Sequence, residues 1–151
     1  MTEIVTIPEA PDPSTPQTRQ ERIDYGRSVF DAVNSEVGER VVRMLEDVSP
    51  ALGEQVMIGF GDIYARPQLS PRDRQLVTLS ILIALGGCES QLEVHVNTSL
   101  NVGLTPEEIV EALLHSTAYC GFPRVLNATA IAKRVFEARG LIASKTTDPK
   151  A

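Results

Sequence analysis

Residues 88–123 read CESQLEVHVNTSLNVGLTPEEIVEALLHSTAYCGFP and hold both histidines and both cysteines of the 151-residue chain. Within this stretch Gly103 ends one segment and Leu104-Thr105-Pro106-Glu107-Glu108 opens the next. Thr105 supplies an N-cap oxygen, Pro106 suits the first helical position because its missing N–H would be unbonded there anyway, and Glu108 completes a capping box. The pattern predicts one helix over 89–102 and another from Thr105 to Gly121. In the first, Cys88, Gln91, His95 and Ser99 recur at steps of three and four, so they lie along one side. A polar row on a partly apolar helix is the first place to look for chemistry.

Working outward, LSPRDRQLVTLSILIALGG (69–87) offers Ser70 as N-cap, Pro71 at the first helical position and Asp73 in the first turn, with Gly86-Gly87 as the stop. Its second half, Leu79 to Leu85, is apolar on nearly every side, which predicts a central helix. Pro123 to Arg139 forms the last helix. Upstream, Gln17 to Asn34 has a loose helical period and Glu36 to Val48 is amphipathic, ended by Ser49-Pro50. Ala51 to Ala65 reads as a third helix interrupted by Gly59 and Gly61, which also allow close approach of another backbone. No alternating β-branched run appears, so the expected fold is all-α with six to seven helices. Residues 17–142 form one domain, preceded by a proline-punctuated, flexible arm over 1–16 and followed by a polar tail over 143–151.

Aromatic residues make up only 5% of the chain and tryptophan is absent, so the core must be Leu, Val, Ile and Ala. A net charge of −6 argues against a nucleic-acid or anionic-membrane surface, because both need clustered Lys and Arg. Two cysteines are too few for a secreted disulfide framework and read as free thiols in a reducing compartment. The N-terminus lacks a signal-peptide pattern and no stretch reaches the length of a membrane span, so the protein is expected to be cytoplasmic. Apolar residues on more than one side of 79–85 and 109–114 are hard to bury in one subunit, which predicts a homo-oligomer.

Three runs together carry a family resemblance: RDRQLVTLSILIALGG (72–87), H-x-x-x-S-L-N-V-G-L-T-x-E-E-I-x-E-x-L-L-H (95–115) and A-Y-C-G-F-P-R-V-L-N-A (118–128). Over about Ile23 to Gly140 the chain resembles the carboxymuconolactone decarboxylase family, within the AhpD-like superfamily. The resemblance implies an all-helical subunit in a ring-like assembly, a trimer or hexamer, working without a bound cofactor. It implies loss of CO2 from a small carboxylated lactone such as 4-carboxymuconolactone in aromatic catabolism. The related alkylhydroperoxidases carry C-x-x-C-x-x-x-H, where this chain has Cys88, Gln91 and His95. A glutamine cannot resolve a sulfenic acid, so the thiol-peroxidase alternative rests on Cys88 alone unless Cys120 lies close by. A non-catalytic oligomeric small-molecule-binding protein is the third reading.

Decarboxylation of this kind pushes an electron pair into a conjugated carbonyl, and needs a carboxylate clamp, donors at the growing oxyanion and an acid to protonate carbon. His95 is the first choice for the acid or the carbonyl donor. Glu111 and His115 share a helix face and are expected to support it, although a solvated face explains them equally well. Arg72 or Arg74 is expected to clamp the carboxylate through its planar fork, the alternative being an ion pair with Asp73 or Glu108. Ser99 and Tyr119 are candidates to contact substrate, and Cys88 is a possible redox thiol at a helix start. No H-x-x-x-H or H-E-x-x-H spacing occurs, so no metal site is expected.

Overall fold

A computed structural model describes residues 5–34 and 36–143, and every regular element in them is helical. The order is α1 (Arg19–Val33), α2 (Glu36–Val48), α3 (Pro50–Gly59), a π-turn (Phe60–Tyr64), α4 (Pro71–Leu85), α5 (Glu89–Asn101), α6 (Pro106–Cys120) and α7 (Phe122–Ala138). The expected all-α architecture is therefore present. Part of the proposed arm, 1–4, and most of the proposed tail, 144–151, lie outside the described residues.

The caps form where the sequence places them. Thr105 and Glu108 make the reciprocal capping box of α6, and Ser70 accepts from the Asp73 amide at the start of α4. Thr18 and Glu21 form a second capping box on α1. Gly86 ends α4 at φ 66°, a left-handed conformation that a Cβ would resist.

Two apolar clusters hold the fold. The larger joins α4 to α7 through Leu79, Ile83, Val96, Ile109, Ile131 and Val135, residues that recur at three and four along their own helices. The smaller joins α1, α2 and α3 through Phe30, Val42 and Met57, with Phe60 packed against it. Asn101 of α5 ties the two together by donating to the Asn34 carbonyl at 2.6 Å and accepting from Arg139 at 2.9 Å.

The junction of α1 with α3 depends on glycine. A Cβ on Gly26 would fall 1.8 Å from the Met57 carbonyl oxygen, and a Cβ on Gly61 would fall 3.3 Å from the Gly26 backbone. Close approach, anticipated for Gly59 and Gly61, is made by Gly26 and Gly61, while nothing crowds Gly59. The third helix also differs from a simple interrupted helix, because its end widens into a π-turn instead of breaking. That turn stacks Tyr64 on Phe60 with ring centres 4.6 Å apart, and Phe60 meets Phe30 edge-on at 5.0 Å. Of the N-terminal arm, residues 5–17 are non-helical, and the Pro8 carbonyl accepts from the Tyr25 hydroxyl at 3.2 Å.

Candidate active site

His95 is partly buried on α5, where its Nδ1 lies 3.0 Å from Oε1 of Gln75 on α4. Burial pushes the imidazole down to about 4, so the ring is neutral near pH 7. An amide oxygen can only accept, so Nδ1 carries the proton and Nε2 keeps its lone pair. This corrects the expectation that His95 arrives as a loaded acid: desolvation removes the proton that an exposed imidazole would partly retain. The ring must acquire a proton before it can give one.

Gln75, absent from the sequence-based candidates, is 1% exposed and among the largest fully buried side chains. It stands in register with Leu79 and Ile83, both buried, at four-residue steps along the core side of α4. A polar side chain in an apolar stripe needs a partner, and that spacing was a readable signal. Gln75→Leu leaves the His95 Nδ1–H without an acceptor, a loss of about 1–3 kcal/mol of stability. Gln75→Glu places a carboxylate beside the ring and should raise the His95 titration midpoint well above about 4, as followed by NMR of the imidazole.

The two arginines separate. Arg72 donates one nitrogen to the Gly103 carbonyl and another to Glu108, which itself accepts from the Thr105 amide. Arg72 and Glu108 thus staple α4 to the start of α6, and the guanidinium is neutralised. Arg74 donates to the Arg66 carbonyl at 2.7 Å, while its Nε is shielded from solvent and has no acceptor among the described residues. No ion pair is formed by Arg74 among those residues. A buried donor left unbonded costs free energy unless a partner arrives, so Arg74 is the arginine suited to a carboxylate.

The remaining candidates fall away from His95. Ser99 is fully buried, and its hydroxyl donates to the His95 carbonyl at 2.6 Å, so it serves its own helix and does not reach a ligand. Glu111 and His115 are exposed on α6, opposite buried Ile109, Leu113 and Ser116, and no hydrogen bond links them to His95 among the described residues. Tyr119 is 81% exposed with its ring 5.2 Å from that of His115. The physical reason is helical phase: a catalytic role needs the side of α6 that packing has already taken.

Cys88 is the N-cap residue of α5, and its thiol lies 3.5 Å from the Gly86 carbonyl. It lines a cavity of about 30 Å³ with Arg124 and Asn127, room for water and not for a lactone. The Cys120 thiol donates to the Ser116 carbonyl at 3.1 Å, and both cysteines are free. Among the described residues no three His, Cys, Asp or Glu side chains converge as metal ligands would, and no helix is long and apolar enough to cross a membrane.

Residues 50–134 match the Carboxymuconolactone decarboxylase family. The chain is 36% identical over 86 residues to 4-carboxymuconolactone decarboxylase of Acinetobacter baylyi, covering 57% of this chain and 63% of that one. It is 35% identical over 77 residues to nitrosuccinic acid decarboxylase of Metarhizium robertsii, covering 50% and 52%. A 15.0 kDa protein of Paracoccus denitrificans is 26% identical over 119 residues, covering 78% and 89%. The chain thus spans between half and two thirds of the length of the two decarboxylases. The matched span runs from the first residue of α3 into α7 and takes in Gln75, His95 and Arg74, so by this criterion the chain belongs to the carboxymuconolactone decarboxylase family.

Proposed function

We propose that the protein is a cofactor-independent carboxy-lyase acting on a small dicarboxylate whose departing carboxyl is conjugated to an electron sink. The observation that carries this reading is the juxtaposition on α4 of Arg74, a cation without a carboxylate, and Gln75, which holds the neutral His95. The names of the two decarboxylases describe one chemistry. In 4-carboxymuconolactone the carbon–carbon electron pair flows into a lactone carbonyl, and in nitrosuccinate it flows into a nitro group. In each the bond to CO2 breaks, charge collects on oxygen, and a proton is then added to carbon. Each substrate also keeps one carboxylate throughout, and Arg74 is placed to hold it.

His95 serves as a relay. A bound dianion within about 4–6 Å would favour the imidazolium, so substrate binding itself would draw a proton onto Nε2 for delivery to carbon. Arg72, Glu111, His115, Ser99 and Tyr119 have no part in this sequence. The decisive assay is CO2 release from 4-carboxymuconolactone and, separately, from nitrosuccinate by the purified protein. Release from neither would end this reading.

We further propose that the working unit is a homo-oligomer, a trimer or hexamer. Val77, Ile81 and Leu85 on α4, Val110 and Leu114 on α6, and Phe122 and Leu126 on α7 recur at four-residue steps and are all 49–69% exposed. Such stripes support burial against another copy. Light scattering should return a multiple of the 16.4 kDa subunit, and Leu114→Glu should shift the mass toward one subunit. A wild-type monomer at micromolar concentration would refute the assembly.

A further inference from the structure

We propose that Tyr64, delivered by the π-turn, joins Arg74 and Thr78 in the subsite that holds the carboxylate the substrate keeps; this rests on the dicarboxylate reading above. The π-turn is the one departure from α-geometry within the described helices, and single π-turns recur at functional sites. Here it carries the Tyr64 phenol across to α4, where the hydroxyl lies 3.3 Å from Thr78 Oγ1. Thr78 is four residues beyond Arg74 and three beyond Gln75, so all three occupy neighbouring positions on one side of α4.

The contact between the two hydroxyls is long for an O–H···O bond, whose usual length is about 2.7–2.8 Å. It is a weak, neutral bond that a carboxylate would readily replace with a shorter, charge-assisted one. Arg74 contributes the complementary feature, a shielded Nε–H with no acceptor. A phenol and a guanidinium can each serve one oxygen of the same carboxylate. Gln75, on the adjoining position, then turns His95 toward the reacting end. Tyr64 is thus assigned as a substrate-binding residue, with Thr78 as its positioning partner.

Succinate, an unreactive dicarboxylate, is the probe, titrated calorimetrically into the full chain and into Tyr64→Phe, Thr78→Val and Arg74→Gln. Tyr64→Phe keeps the ring stacked on Phe60 and should retain the melting temperature while weakening succinate by roughly tenfold, the expected size for one hydrogen bond to a charged group. Arg74→Gln should weaken it further, and Thr78→Val by a smaller factor. With a decarboxylation substrate, Tyr64→Phe should raise KM more than it lowers kcat. Succinate affinity in Tyr64→Phe equal to that of wild type, or no succinate binding by wild type, would overturn the subsite. Tyr64-dependent succinate binding without CO2 release from either substrate would keep the subsite and remove the decarboxylase reading. CO2 release with kinetics unchanged in Tyr64→Phe would do the reverse.

Discussion

His95→Ala is expected to lower kcat for CO2 release by about 10²–10⁴-fold, the range associated with losing a positioned proton-transfer group. The variant removes the relay but leaves Arg74, so KM should change little. A loss confined to KM would mean that His95 binds substrate without handling its proton. The same ring sets a pH dependence. Its native value is about 4 against an ordinary 6.5, because burial disfavours the cation. Between those values the unfolded chain takes up a proton that the native chain refuses, so acid favours unfolding. The associated stability, about 3 kcal/mol at most, is complete above pH 6.5 and is lost as pH falls through about 4. Melting temperatures measured from pH 7 to pH 4 should therefore fall more steeply in wild type than in His95→Ala. In kinetics the free-enzyme group should appear in kcat/KM near pH 4, and in kcat at higher pH, because a bound dianion favours the imidazolium.

Gly26→Ala is expected to be the most damaging small substitution in the N-terminal half. The added methyl would sit 1.8 Å from the Met57 carbonyl oxygen and 3.3 Å from the Gly61 nitrogen, against backbone that cannot rotate away. Helices α1 and α3 must then separate, opening the cluster of Phe30, Val42 and Met57. Overpacking typically costs about 1–3 kcal/mol, and a clash with main chain places this change at the upper end or beyond it. Thermal or urea unfolding would show the loss. Gly59→Ala is the matched control, since nothing lies within 4 Å of its would-be Cβ and alanine has the better helix propensity. Equal stability of the two variants would contradict the close-packed junction.

Much of the architecture could be read along the chain because its signals are local. The capping boxes, Pro71 and Pro106 at helix starts, and Gly86 and Gly121 at helix ends are each fixed by residues within one turn. His95 was equally legible as the polar residue on α5. What the spacing could not resolve was direction. Arg72 and Arg74 are the same residue type two positions apart, about 200° around a helix, and only the neighbours decide that one is stapled to Glu108. Glu111 and His115 share a face as expected, but the phase of α6 turns that face outward. Gln75 was overlooked because a single polar residue in an apolar stripe was read as noise. The π-turn was read as a glycine break because its cause lies in contacts with α1, distant in sequence.

The π-turn makes the chain's chemistry hostage to its length. One residue fewer between 60 and 64 would let the segment settle back into ordinary α-helix, and every side chain after the excision would swing by about 100°. The phenol would no longer face α4, although no residue there had been exchanged. Within a lineage of such proteins, gain or loss of a single codon in this segment would therefore retune ligand preference in one step, where point changes in α4 would need several.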